Sequence, residues 1–179
     1  MINISKIIYV NIILVGSFVF PLEAKAECSF RTSEYIKQLS EPSSINRIKI
    51  EVPKSKSYII NHLEILNSKT DVIPTELKRR FKANLEVIYP FGKCKYRSTI
   101  WQNGDWRDHI DYSYLRSLNV KLEDGNIMNA IKFKLLIPKT RNSLNEILGA
   151  LILRRLEFIA PETFEVLVSV NNINESVMI

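Results

Sequence analysis

Residues 83–101 alternate apolar and polar side chains on both sides of one short turn, Pro-Phe-Gly-Lys at 90–93. Successive side chains of a β-strand point to opposite faces, so this period of two residues predicts strands with one buried and one exposed face. The short turn between them predicts an antiparallel hairpin. The predicted buried set is Ala83, Leu85, Val87, Tyr89, Cys94, Tyr96, Ser98 and Ile100, and Lys95, Arg97, Thr99 and Trp101 face the other way.

The rest of the chain adds further strands and a few helices. Runs of strands without a regular strand–helix–strand alternation favour an α+β fold with a mainly antiparallel β-sheet, in a single domain over 27–179. Strands are predicted at 45–52, 115–122, 131–137 and 164–170, short helices at 31–39, 57–68 and 73–78, and a main helix at 143–157.

The main helix is the most apolar element of the sequence. Ser143 and Glu146 form a capping box at its start. Apolar residues occupy most of the circumference of this helix. We therefore expect it to be buried and to cover one face of the sheet. The apolar positions are Leu144, Ile147, Leu148, Leu151, Ile152, Leu153 and Leu156.

The first 26 residues read as a secretory signal peptide. Lys6 precedes an apolar run at 7–20, and Ala24-Lys25-Ala26 supplies the small residues of a cleavage site. The run spans about 21 Å as a helix, whereas a bilayer core needs about 30 Å. The sequence therefore predicts a secreted or periplasmic protein without a stable membrane anchor, with a retained leader as the alternative.

The sequence contains two cysteines and two histidines, which limits the disulfides and metal sites that it can form. An exported chain meets an oxidising compartment, so Cys28 and Cys94 are predicted to form a disulfide. His62 and His109 lie in no metal-ligand spacing, and no metal site or catalytic residue is predicted.

The sequence carries a formal net charge of +6. Such a balance favours acidic partners, for example phosphates, anionic glycans or lipid head groups, although secreted proteins are also often mildly basic without a specific partner. No nucleic-acid partner is predicted. A possible ligand loop is Asp105, Trp106 and Arg107, where aromatic and guanidinium planes suit sugars, but a polar turn with Trp106 packed on the core is the favoured interpretation. Asp105, Asp108, His109 and Asp111 have metal-like composition without a calcium-loop pattern.

The succession GDWRDHI, LNVKL and FKLLIPKTRNSLNEILGALILRRLEFIAPETFEVLVSVN, at 104–110, 118–122 and 133–171, resembles the N-terminal half of the CotH-like family. The resemblance implies a kinase N-lobe-like fold that uses ATP and Mg²⁺. It places Lys132 and Lys134 where a lysine contacts phosphate, and Glu146 where a helix carboxylate pairs with it.

Members of that family continue into a second lobe with the metal-binding carboxylates, and this sequence ends after Asn171 and a short tail. The resemblance therefore predicts no phosphotransferase activity by the chain itself and no cofactor, unless a second chain supplies the missing lobe. The alternative is a periplasmic or cell-surface binding module for an anionic glycan or protein partner, through the basic strand face or the GDWRDHI loop.

Export predicts that the chain recovered from the culture medium or periplasm begins at Glu27. Cleavage after Ala26 follows from the small residues that precede the site. Mass spectrometry of the intact protein measures this end directly, and a cytoplasmic chain that keeps Met1 would contradict it.

Overall fold

The computed structural model describes residues 27–30, 45–90, 92–111, 115–142 and 144–178. In these parts of the chain one curled β-sheet and two α-helices are present, which confirms the α+β class. The predicted helix at 31–39 and the leader lie outside the described residues. The strands are β1 Glu27–Phe30, β2 Arg47–Glu51, β3 Arg80–Tyr89, β4 Gly92–Gln102, β5 Leu118–Leu122, β6 Lys132–Leu135, β7 Val166–Val170 and β8 Ile173–Met178; the helices are α1 Ser55–Leu66 and α2 Leu144–Arg155; 3-10 turns cover Thr75–Leu77, Arg107–His109 and Pro138–Arg141.

The sheet order is β6-β5-β4-β3-β2-β7-β8, with β1 paired to β4. All pairs are antiparallel except β2 with β7. The β3–β4 hairpin is the longest pairing and runs from Arg80 opposite Trp101 to Tyr89 opposite Gly92. The predicted hairpin and its inward set are confirmed, since Cys94, Tyr96 and Ile100 are among the buried core residues.

The sequence analysis missed β8 and the parallel pairing. Asn171 and Asn172 have φ angles of 52° and 56°, the left-handed conformation of tight hairpin turns that asparagine tolerates. The Asn171 N–H donates to the Ile50 carbonyl over 2.8 Å, and its side-chain oxygen accepts from the Val52 N–H over 2.7 Å. The turn is therefore tied to β2, which holds β7 parallel to it.

A buried arginine connects α1 to the sheet. The guanidinium of Arg116, a residue only 1% exposed, lies 4.1 Å from the centre of the Tyr58 ring and donates to Asn61 Oδ1 over 2.9 Å. Tyr58 in turn meets Phe81 of β3 edge to face, with ring centres 5.4 Å apart. A π face and a neutral amide oxygen thus replace part of the water that the buried cation loses.

The expectation that α2 is buried on most of its circumference is wrong. Ala150 is its only buried residue among those described, while Leu144 is 61% exposed and Leu148 and Leu151 are each 53% exposed. Apolar composition shows that a helix gains from burial but does not supply a surface to cover it. The helix follows edge strand β6 and contacts the 3-10 turn at Pro138–Arg141. Ser143 of the predicted capping box lies outside the described residues.

Cys28 lies opposite Cys94 in the β1–β4 register, with Cα atoms 4.0 Å apart, and the two form the predicted disulfide. The bond closes a loop with a sequence separation of 66 residues. Reduction should lower the free energy of unfolding by about 4 kcal/mol, because a chain without the disulfide gains more conformational entropy on unfolding than a cross-linked chain. Urea unfolding of the oxidised chain and of the Cys28→Ser/Cys94→Ser variant measures the difference, and equal midpoints would contradict it.

Stability should fall between pH 6.5 and about 4 because of His62, which is fully buried in α1. Burial, with a smaller contribution from Arg116, lowers the pKa of His62 from 6.5 to about 4, although its Nε2 donates to the Asp111 carbonyl over 2.8 Å. Between these two pH values His62 is protonated in the unfolded chain but not in the folded chain. Acid therefore lowers the free energy of unfolding by up to about 3 kcal/mol.

Urea unfolding measured from pH 7 to pH 5 tests this prediction. The range stays above 4.5, the ordinary pKa of glutamate, because below it Glu86 and Glu123 also make the stability depend on pH. The His62→Gln variant is the control, since it has no imidazole to protonate. Its stability should change less with pH than that of the native chain, and equal slopes would contradict the assignment.

Candidate functional site

The solvent side of β2 to β6 forms one continuous polar surface, here called the basic face. It arises because the inward residues of these strands are apolar, so the alternate residues must all point outward. Cations outnumber carboxylates on it. The cations are Arg47, Lys49, Arg80, Lys82, Lys93, Lys95, Arg97, Lys121, Lys132 and Lys134, and the carboxylates on the face or at its strand ends are Glu27, Glu51, Glu86, Glu123 and Asp124.

One row across the basic face is centred on a partly exposed tryptophan. Cross-strand register places Arg80 beside Trp101, Trp101 beside Asn119, and Asn119 beside Lys134. The Arg80 guanidinium lies 4.9 Å from the centre of the Trp101 ring, a cation–π contact. The row offers an aromatic plane, an amide and two cations along one line.

A second row lies next to it and adds charge. Lys82, Thr99, Lys121 and Lys132 are consecutive cross-strand neighbours. Glu123 accepts from Lys82 and, over 2.6 Å, from the Thr99 hydroxyl, and the hydrogen bond from Lys82 is the main reason that its pKa is lowered. Within the described part of the chain Lys121 and Lys132 form no ion pair, so their charges are available to a ligand.

The basic face continues into a cleft of about 800 Å³ between the outer side of β2–β4 and the Asn171–Asn172 turn. Glu86 forms an ion pair with Lys93, in which Oε1 and Nζ lie 2.6 Å apart. Lys49 and Lys95 lie opposite Glu86 on the two neighbouring strands. The hydrogen bond from Lys93 lowers the pKa of Glu86, and the charges of Lys93, Lys95 and Lys49 lower it further. The cleft therefore holds cations around an ionised carboxylate.

Arg97 lines the cleft and is held in place by Asp124. The Asp124 carboxylate accepts from the Arg97 backbone N–H over 2.7 Å and from its Nε over 3.0 Å. The Asp124 side chain is only 5% exposed, whereas that of Arg97 is 56% exposed. This contact fixes the turn after β5 against β4 and leaves the Arg97 head group directed to solvent.

The structure brings two of the three predicted cofactor-binding residues onto the basic face. Lys132 and Lys134 project from edge strand β6, both exposed. Glu146 lies half-buried in the first turn of α2, on another element. A pairing of Glu146 with either lysine, and any role of the three in binding ATP, stay predictions.

The three residues of the predicted ligand loop differ in exposure and contacts, and their role in binding a ligand stays a prediction. The expectation that Trp106 packs on the core is wrong, since this residue is 61% exposed. Asp105 pairs with Lys78, whose hydrogen bond lowers the pKa of Asp105, and Arg107 donates to the Leu66 carbonyl over 2.6 Å. His109 is buried directly beneath Gly104, where a Cβ atom would overlap its ring.

The described parts of the chain contain no group of three or more His, Cys, Asp or Glu side chains that could hold a metal ion. They also contain no helix long and apolar enough to cross a membrane.

Comparison with protein-family models, curated proteins and solved structures finds no match to the chain. The resemblance to CotH-like proteins therefore stays a prediction, and the function is argued from the geometry alone.

Sequence reasoning identified Lys132 and Lys134 but missed their neighbours on the basic face. Alternation already directed Lys95, Arg97 and Trp101 outward. The missing information was the register, which decides that Trp101 meets Arg80. The cleft was missed because one of its walls is the turn before β8.

Proposed function

We propose that the chain is an exported binding module that holds an anionic polymer, an acidic glycan, on its basic face. The observation that carries the proposal is the row from Arg80 through Trp101 and Asn119 to Lys134, with Lys121 and Lys132 beside it. Adjacent strands lie about 4.8 Å apart, so four neighbours span about 14 Å. Such an open line of charge fits an extended polymer better than a compact ion.

The tryptophan favours a glycan among the anionic polymers. The planar Trp101 ring offers an apolar surface for the C–H face of a sugar, and Arg80 presents a planar donor beside it. Asn119 adds a neutral amide suited to sugar hydroxyls, although its Nδ2 already donates to the Gln102 carbonyl over 3.2 Å. Lys121, Lys132 and Lys134 then supply charge for sulfate or carboxylate groups. The proposal assigns no catalytic step to these residues.

The Trp101→Ala variant should bind a sulfated polysaccharide about tenfold more weakly, because it loses the stacking surface and the partner of Arg80. Lys121→Ala and Lys132→Ala should each weaken binding about threefold, as expected for an exposed charge contact. Titration calorimetry at low and at physiological salt measures both effects. The lysine contribution should shrink with salt while the tryptophan contribution persists.

Lys56→Ala is the matched control, since Lys56 is an exposed lysine on α1 and is not among the outward residues of β2 to β6. It should leave the affinity unchanged. Equal losses in the control and face variants, or equal binding of uncharged dextran, would contradict the proposal. Weak binding of the polysaccharide but tight, Lys121-dependent binding of an acidic protein would replace the glycan with a protein partner.

A further inference from the structure

The strongest feature outside the basic face is a run of exposed apolar side chains on and after α2, here called the α2 patch. Its members are at least 44% exposed, and Ile159 is 105% exposed. Monomeric soluble proteins rarely leave so large a contiguous apolar surface in water, and such surfaces mark interaction sites. The patch consists of Leu144, Leu148, Leu151, Ile152, Leu153, Leu156, Phe158 and Ile159.

The patch has the spacing of a helix-pairing surface. Leu144, Leu148, Leu151 and Ile152 recur at i, i+4, i+7 and i+8, which places them on one side of the helix. Ala150 points the other way, into the protein. The chain's own fold therefore uses one side of α2 and leaves the leucine side uncovered among the described residues.

Gly149 gives an independent reason to expect a close neighbour. It lies in the middle of α2, where glycine destabilises a helix relative to alanine. A Cβ added there would meet no atom within 4 Å. The described fold thus gives no steric reason for glycine, whereas a second helix backbone that approaches beside Ile152 does.

We propose that the α2 patch is the interface with a second copy of this chain, with the two α2 helices packed antiparallel about a two-fold axis. A standard interface buries about 800 Å² per partner, of which about 65% is apolar in homodimers, or about 500 Å². Full burial of a leucine-sized side chain covers about 60–120 Å². Eight such side chains at their observed exposures supply about 300–600 Å², a range that includes the area a stable dimer needs.

The charges beside the patch favour a second copy over a lipid surface. Glu157 is exposed beside Phe158 and Ile159, whereas Glu162 pairs with Arg154, so insertion of Phe158 and Ile159 into a membrane would bring the Glu157 carboxylate against hydrocarbon or anionic head groups. An antiparallel pair instead opposes the two helix dipoles.

Sedimentation velocity of the purified chain, with its N-terminus defined by mass spectrometry, tests the interface. The chain should be dimeric at about 100 µM, and Leu148→Glu should weaken the dimer at least tenfold because it buries an unpaired charge. Ile152→Glu on the same side of α2 is the second variant. Ile60→Glu is the control, because Ile60 is 54% exposed on α1, outside the patch.

Dimers in the native chain and in Ile60→Glu, with folded monomers in Leu148→Glu or Ile152→Glu, would support the interface. A native chain that is monomeric at about 100 µM would overturn it, as would a dimer that persists in both α2 variants. A monomer that binds phosphatidylcholine vesicles through Leu148 would assign the patch to lipid instead. Trp101→Ala should remain dimeric, so this test does not depend on the glycan proposal.

Discussion

The register of the β3–β4 hairpin is the constraint on which the basic face depends. A shift of β4 by one residue against β3 would turn over its two faces, bringing Trp101 into the core and Ile100 into water. Burial of several large apolar side chains opposes that shift, at about 1.5–3 kcal/mol each. The outward array of cations is therefore a consequence of core packing, and charge repulsion among neighbouring lysines is tolerated because the core holds the strands.

Among the described residues one lysine or arginine is fully buried, and this cation joins the sheet to a helix. Arg116, just before β5, reaches Tyr58 and Asn61 of α1, and Tyr58 rests on Phe81 of β3. Removing the guanidinium would leave the Asn61 oxygen and the Tyr58 hydroxyl without that donor in a buried place, a penalty of about 1–3 kcal/mol for each unsatisfied group. The same cation helps to keep His62 neutral, so α1 is held by groups that remain uncharged beside it.

Local sequence predicted which way side chains point but not what they meet. Period-two alternation was enough for β2 to β6 because each strand has one apolar and one polar face, so Lys132 and Lys134 were correctly directed outward. The parallel contact of β2 with β7 joins residues more than a hundred positions apart, and no local pattern encodes it. Helix α2 shows the converse limit, since its leucines predict burial without specifying whether the cover comes from the same chain.

If the ligand is a polymer, the basic face and the α2 patch would act together in binding it. A two-fold dimer through the α2 patch would carry two copies of the row that contains Trp101 and Lys134, in a fixed relative position. A glycan long enough to reach both rows would bind the second one intramolecularly, at an effective concentration set by its length and stiffness. Each lysine contact contributes only about 0.2–1 kcal/mol. Summed over both rows, such contacts would bind long chains tightly and short chains weakly. Discrimination by length would thus follow from the exposed helix, while discrimination by charge follows from the sheet.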